Sequence, residues 1–156
     1  MTATPQITCL CCSDRCYSEC CGPLHAGSPA SDAPSLMRSR YSAYCLGLID
    51  YLVNTTLPSQ QAELDVNSMT RWSHESTWLG LEIESATGDG ADHAQVIFIA
   101  HWADPDGSRH QHRECSDFIR KSSKWYFVDP NHRTDTRRNA PCPCGSGKKF
   151  KRCCAL

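Results

Sequence analysis

The sequence predicts an α+β protein in which helices pack on an antiparallel sheet, with a small cysteine-rich module at each end of the chain. Apolar residues recur near every 3.6 positions in residues 36–52, a spacing typical of helices. From Thr77 onward apolar residues alternate with period two, which indicates strands. One cysteine spacing occurs near both termini. Helices followed by an antiparallel meander form a layered α+β architecture.

The helical part is predicted to begin after residues 22–35, a stretch rich in Gly, Pro, Ala and Ser that we interpret as a linker. Asp32 has the side chain of a helix N-cap and directly precedes the periodic segment. Gly47 is expected to bend this helix or divide it, and Pro58 follows its end. Residues 59–73 form a second, shorter helical candidate.

Four segments have the composition of strands. Turn sequences "GDGAD" and "PDG" separate the first three, so the strands are expected to pair as a meander. Residues 130–141 are interpreted as an exposed linker to the C-terminal module. The strand segments read "TWLGLEIES", "AQVIFIAHWAD", "HRECSDFIRK" and "KWYFVD".

The cysteine repeat reads "CLCCSDRCYSECC" from Cys9 and "CPCGSGKKFKRCC" from Cys142. Both copies have the spacing Cys-x-Cys, eight residues, Cys-Cys. A compact set of four thiolates suits Zn²⁺ in a closed, tetrahedral structural site. The sequence therefore predicts two zinc ions. The expected ligands are Cys9, Cys11, Cys20 and Cys21 in the first site, and Cys142, Cys144, Cys153 and Cys154 in the second.

Disulfides and an iron–sulfur cluster are alternative uses of the twelve cysteines. The start, "MTATPQIT", has no basic and apolar signal segment, so a cytoplasmic location is expected, where thiols stay reduced and disulfides are rare. An iron–sulfur cluster would use other spacings, which do not end in Cys-Cys. A metal site is favoured over both.

The N-terminal copy departs from the C-terminal one. It lacks two glycines that would ease a tight turn, and two additional thiols could compete as ligands. It carries two acids instead of a lysine run, so we expect the charge of its zinc-thiolate cluster to be poorly compensated. Cys12 and Asp14 replace Gly145 and Gly147, the additional thiols are Cys12 and Cys16, and the acids are Asp14 and Glu19.

Charge is unevenly distributed. The net charge of the chain is −1, but residues 131–156 carry +6 and residues 1–130 therefore carry −7. A basic tail suggests an anionic partner, although its cations could also serve only to neutralise the zinc cluster. The acidic body argues against a DNA duplex as partner, and no apolar run is long enough for a membrane span. The predicted partner-binding residues are Lys148, Lys149, Lys151 and Arg152.

The C-terminal "CPCGSGKKFKRCC" resembles the SEC-C motif, a zinc module known from the C-terminus of the translocase ATPase SecA. Together with "LMRSRYSAY" and "KWYFVD", the motif at both ends resembles the YchJ family of uncharacterised bacterial proteins. The resemblance implies a nuclear-transport-factor-2-like (NTF2-like) middle domain, with helices packed into a curved sheet that encloses a cone. It also implies docking on a protein or ribosomal partner. The expected divisions are residues 1–24, 33–130 and 138–156.

A cone can hold a pocket lined by inward-facing polar residues. An acid–base pair of His101 with Asp129 would suit an enzyme, but a lone strand histidine and a strand-end aspartate more often have structural roles. No P-loop, dinucleotide or nucleophile-elbow motif is present. We therefore favour a non-enzymatic zinc-binding adaptor, with a small-molecule-binding protein or enzyme as the alternative. The candidate pocket residues are His101, Glu114, Ser116 and Asp129, with Trp102, Trp125 and Tyr126 as walls.

Overall fold

The computed structural model describes residues 7–88, 92–130 and 148–149. Within them, four α-helices and two 3₁₀ segments surround one face of a four-stranded sheet. The α-helices are α1 (Cys21–His25), α2 (Ala33–Leu46), α3 (Ile49–Asn54) and α4 (Val66–Glu75), and the 3₁₀ segments are Tyr17–Glu19 and Pro58–Glu63. The strands are β1 (Thr77–Thr87), β2 (His93–Ala103), β3 (Arg109–Lys121) and β4 (Lys124–Val128). No helix in these ranges is long and apolar enough to cross a membrane.

Helix α2 has the boundaries that its sequence predicts. The Asp32 carboxylate accepts a hydrogen bond from the Ser35 amide at 2.8 Å, which satisfies one free amide of the first turn. Gly47 ends the helix in the left-handed conformation, with φ of 72°, and α3 follows directly. The periodic segment is therefore two helices joined at Gly47.

Two helical boundaries differ from prediction. The expected linker of residues 22–35 contains most of α1 and the start of α2, and His25 of α1 donates to the Ser39 carbonyl of α2. That tertiary contact is invisible in local composition. The second helical candidate, residues 59–73, is a 3₁₀ turn followed by α4, because Asp65 caps a new helix by accepting from the Ser68 amide.

The sheet is an antiparallel meander in the order β1, β2, β3, β4, as predicted. Its β1–β2 register shifts twice, between Trp78 and Gly80 and between Ile83 and Ser85. Such bulges bend a strand and increase its twist, which curves the sheet around the helices. Gly80 has φ of 144°, a conformation that L side chains rarely adopt.

The hydrophobic core lies between the concave face of this sheet and α2. Leu36, Met37 and Tyr41 of α2 pack in one buried cluster with the sheet. Burial of these apolar side chains is the main force that holds the helices on the strands. The sheet residues of the cluster are Leu81, Ala94, Val96, Phe98, Ala100, Phe118 and Trp125.

Candidate metal centre

The first cysteine pair lies on a hairpin-like loop that precedes α1. Thr8 and Cys16 form an isolated antiparallel bridge, and the Cys9 amide donates to the Arg15 carbonyl at 2.8 Å. These bonds hold the two arms of the loop together. The chain then makes the 3₁₀ turn Tyr17–Glu19, which delivers the second pair at the start of α1.

The loop turns without the glycines of the C-terminal copy. Cys12 and Asp14 have φ of 65° and 64°, so both occupy the left-handed region. These are the two positions at which the C-terminal motif has Gly145 and Gly147. Aspartate tolerates this conformation better than most residues, whereas a cysteine there is uncommon. The turn expected from the motif is therefore made despite the substitutions, at some conformational cost.

The four predicted N-terminal ligands come together in space. Their Sγ atoms all lie within 4.8 Å of one another, with Cys11 to Cys20 at 3.5 Å and Cys20 to Cys21 at 3.9 Å. Four sulfurs placed about 2.3 Å from a central Zn²⁺ in a tetrahedron would be about 3.8 Å apart. A disulfide would need about 2.05 Å, and the cysteines in the described ranges are free. The donor set fits a four-thiolate metal ion.

The cluster is shielded from water. Cys9, Cys11 and Cys21 are at most 3% exposed, and Cys20 is half-buried. Tyr17 packs against the cluster, but only Cys9, Cys11 and Cys21 form its buried centre. A unit this small has no apolar core of its own, so a bound metal would have to supply much of its folding free energy.

Hydrogen bonds from neighbouring side chains stabilise the thiolate form of Cys11. A hydrogen bond from the Cys21 thiol, aided by Ser13, lowers the pKa of Cys11 to about 4. The same bond raises the pKa of Cys21, and burial raises the pKa of Cys9. Metal binding would take the place of these protons, because the ligand form of cysteine is the thiolate.

Two arginines bond to backbone carbonyls of the loop, and the poor compensation expected from Asp14 and Glu19 stays a prediction. Arg38 of α2 donates to the Cys11 carbonyl at 2.7 Å, and Arg15 donates to the Glu19 carbonyl. Arg38 is 27 residues from Cys11, so local sequence did not reveal the contact. A hydroxyl of Ser13 also lies 3.1 Å from Cys20 Sγ.

The two additional thiols are not part of the four-sulfur cluster. Cys12 is exposed, and its Sγ accepts from the Leu81 amide of β1 at 3.5 Å. Cys16 is half-buried and lies on the arm that pairs with Thr8. Cys12 therefore contributes to the contact between the loop and the sheet.

His25 joins the cysteine-rich segment to the helical body. Its Nε2 lies 2.8 Å from the Ser39 carbonyl, so this nitrogen carries the proton and Nδ1 accepts from the Tyr17 hydroxyl at 2.8 Å. The ring also packs edge-on against Tyr51 at 4.8 Å between centroids. Burial lowers the pKa of His25, in keeping with a neutral ring.

The candidate pocket residues of the middle domain do not share one site. His101 pairs with Glu82 at 2.9 Å, and strand alternation places it on the sheet face opposite Trp102 and the core. Glu114 and Ser116 lie on the core face of the sheet, and the Ser116 hydroxyl donates to the Glu114 carboxylate at 2.9 Å. His101 and Asp129 line different cavities.

The predicted walls are also divided between the faces. Trp125 belongs to the core cluster, whereas Tyr126 is its strand neighbour and lies on the other face. Trp102 packs against the core from its edge. In β2, His101 alternates with the core residues Phe98 and Ala100 and shares the outward face with Ile99, so it cannot line the inward pocket predicted for it.

Most of the predicted C-terminal site falls outside the described residues. Lys148 and Lys149 are described and exposed. The remaining predicted ligands and partner-binding residues there are Cys142, Cys144, Lys151, Arg152, Cys153 and Cys154.

Comparison with known families matches two segments of the chain. Residues 32–130 match the model of the YchJ middle NTF2-like domain, and residues 138–156 match the SEC-C motif. The first match confirms the NTF2-like fold expected from the resemblance. The division of the whole chain at residues 24, 33 and 138 stays a prediction.

Two solved structures are similar over most of their length. A SEC-C motif containing protein from Psychrobacter arcticus is 39% identical, with a TM-score of 0.81 and 95% of each chain covered. A SEC-C motif containing protein from Rhodopseudomonas palustris is 35% identical, with a TM-score of 0.73, 79% of this chain and 96% of that chain covered. The chain therefore belongs to the family that combines the YchJ middle NTF2-like domain with a SEC-C motif.

Proposed function

We propose that this protein is a zinc-binding, non-enzymatic adaptor of the bacterial cytoplasm. Its NTF2-like body carries one structural zinc module before it and a basic zinc module after it, and the basic module docks on an anionic partner. The observation that supports this best is the convergence of Cys9, Cys11, Cys20 and Cys21 within 4.8 Å.

The N-terminal ion is proposed to be structural rather than catalytic. Four thiolates fill a tetrahedral zinc site and leave no position for a water or substrate. Zinc binding in small modules supplies about 10–16 kcal/mol, enough to fold a segment without a core of its own. The contacts of Arg38 and His25 would then hold the folded module on α2.

The C-terminal module is proposed to be the docking element. Residues 131–156 carry +6 on an otherwise acidic chain, and the matched SEC-C motif contains the cysteines Cys142, Cys144, Cys153 and Cys154. A −2 zinc-thiolate cluster needs fewer cations than this segment supplies. The excess favours a negatively charged surface, either an acidic protein or ribosomal RNA, as partner.

Metal analysis by native mass spectrometry tests the zinc proposal. We expect two zinc ions per chain. The Cys11→Ser variant should retain one, and the matched control Cys115→Ser, an exposed thiol of β3, should retain both. Protein that is free of metal yet ordered around Cys9 to Cys21 would contradict the proposal.

Co-sedimentation with purified bacterial ribosomes tests the docking proposal. Binding should weaken steeply as salt rises, because contacts to phosphate release counterions. A variant with Gln at positions 148, 149, 151 and 152 should lose binding, while Gln at four cations of the body should not. The control positions are Arg71, Arg109, Lys121 and Lys124. Equal binding by both variants would reject the basic module as the docking element.

A further inference from the structure

Strand β3 has a free edge along most of its length. β4 pairs with β3 only from Asp117 to Lys121, so residues 109–116 have no partner strand on that side within the described ranges. Residues 109–113 and Cys115 are exposed to solvent. An open edge presents unpaired N–H and C=O groups and is a template for another strand.

The end of β4 explains why this edge stays open. The Phe127 amide donates to the Thr55 carbonyl and its carbonyl accepts from the Leu57 amide, both at 2.8 Å, so these groups face away from β3. Alternation therefore directs the backbone groups of Val128, and next those of Pro130, towards β3. Proline has no N–H to donate, so the ladder between β3 and β4 ends there.

The regular alternation of β3 identifies the backbone groups at the free edge. The register between β2 and β3 has no shift, and the Arg120 amide donates to the Asp92 carbonyl on the β2 side. Even-numbered residues of β3 therefore bond to β2, and odd-numbered residues face the other side. The N–H and C=O groups of the free edge belong to Arg109, Gln111, Arg113 and Cys115.

The opposite edge of the sheet, on β1, is protected. Its register with β2 shifts twice, and bulges of this kind spoil an edge as a template. The Gly80 amide also donates to the Tyr41 hydroxyl at 2.8 Å, and the Leu81 amide donates to Cys12 Sγ at 3.5 Å. In the part of the chain that the structure describes, the free edge of β3 has neither protection.

The charges along β3 favour a second copy of the same strand as its partner. Odd residues must meet odd residues, so two antiparallel copies that pair most of the free edge have their two-fold axis at residue 111, 112 or 113. An axis at residue 111 places Arg109 opposite Arg113 of the second copy. An axis at residue 113 places Arg113 opposite itself. Both oppose like charges, which destabilises a strand pair.

We propose that the protein forms a symmetric dimer in which the free edges of β3 pair antiparallel about an axis at His112. Each pair of odd residues then exchanges both backbone hydrogen bonds, and the two sheets continue as one. Imidazole meets carboxylate at two places, and no arginine meets another arginine. The facing pairs are His110 with Glu114, Arg109 with Cys115, Gln111 with Arg113, and His112 with itself.

The dimer is independent of the zinc and docking proposals, because residues 109–115 belong to neither cysteine module. The pairing stops on both sides where β4 begins, so the contact is short. Short contacts are typical of weak, reversible association.

Sedimentation velocity of the zinc-loaded full chain tests the dimer under reducing conditions, which prevent cross-linking through Cys115. We expect a reversible monomer–dimer equilibrium as concentration rises. Amide hydrogen exchange, followed by NMR, should slow about fivefold or more for Gln111 and Arg113 as the dimer forms, and should stay constant for His112. A monomer at all concentrations, or a dimer without this protection, would overturn the proposal. Protection of the same amides in the monomer would also overturn it, because another part of the chain would then cover the edge.

A proline at the free edge tests the contact without removing a bond of the sheet. The Gln111 amide faces outward, so Gln111→Pro should weaken dimerisation about tenfold or more while the chain stays folded. Ala86→Pro is the matched control on β1, because Ala86 is exposed and its partner Val96 bonds to β3, which leaves the Ala86 amide facing outward. The control should dimerise as the parent does. Equal dimerisation by both variants would contradict the proposal.

Charge at position 111 tests the register. Gln111 is exposed and would face Arg113 of the second copy twice in each dimer. Gln111→Glu should tighten the dimer about threefold or more, and Gln111→Arg should weaken it by a similar factor. Weakening by both variants would place the axis at Gln111 and reject the proposed register, and equal affinity in both would reject the edge contact.

Discussion

The Arg38 guanidinium donates a hydrogen bond of 2.7 Å to the carbonyl oxygen of Cys11, so helix α2 holds the loop that carries the candidate metal ligands. The contact is half-buried and charge-assisted, which makes it stronger than an exposed surface contact. It also places a positive charge beside a loop that would carry a −2 zinc cluster.

Replacing Arg38 should weaken zinc binding at the N-terminal site. Partners that hold a ligand in place typically contribute about 10–100-fold in metal affinity. We expect Arg38→Met to lower affinity by about tenfold in competition with a chelator. Arg71→Met, at an exposed position of α4, is the control and should have no effect. The same affinity in both variants would mean that Arg38 serves only to pack the interface.

Cys12 is expected to be dispensable as a ligand and unfavourable for the backbone. Its φ of 65° is easier for glycine than for any residue with a side chain. Cys12→Gly should keep the zinc content and the stability within about 1 kcal/mol of the parent. Cys12→Val should lower the free energy of unfolding by about 1–2 kcal/mol, because a branched side chain is disfavoured there. Loss of one zinc ion in Cys12→Gly would instead identify Cys12 as a ligand.

His25 should make stability depend on pH. Burial lowers its pKa in the folded state, so the unfolded chain binds the proton more readily. The contribution of the neutral ring is therefore present above the ordinary histidine pKa and is lost as pH falls below it. Chemical denaturation at several pH values should show a smaller decline for His25→Gln than for the parent. His74→Gln, at an exposed position, should follow the parent, and identical slopes in all three would exclude His25 as the cause.

The C-terminal module should fold as a separate unit. We expect Cys142→Ser to lose one zinc ion and the ordered structure of about the last fifteen residues, because small zinc sites fold with their metal. Backbone amide spectra of residues 33–130 should stay unchanged. Cooperative unfolding of the whole chain would show that the C-terminal module supports the body.

The cysteine cluster and the core could be predicted because their signals are local. Four cysteines at fixed short offsets can reach one ion whatever the rest of the chain does, and periods of 3.6 and 2 follow from helix and strand geometry. The cap at Asp32 and the break at Gly47 could also be predicted, because each depends only on residues close to it in the chain. The β3–β4 turn was less visible, because Ser122 and Ser123 have φ of 52° and 63° without the glycine or asparagine typical of such turns.

Sequence alone determined the thiol spacing, the order of helices and strands, and the charge difference between the body and the tail. Tertiary structure alone decided that Arg38 reaches Cys11, that Arg40 stacks on Phe127, and that His101 faces away from the core. These contacts join residues far apart along the chain. Their partners are selected by packing and by the need to satisfy buried polar groups, which no local pattern records.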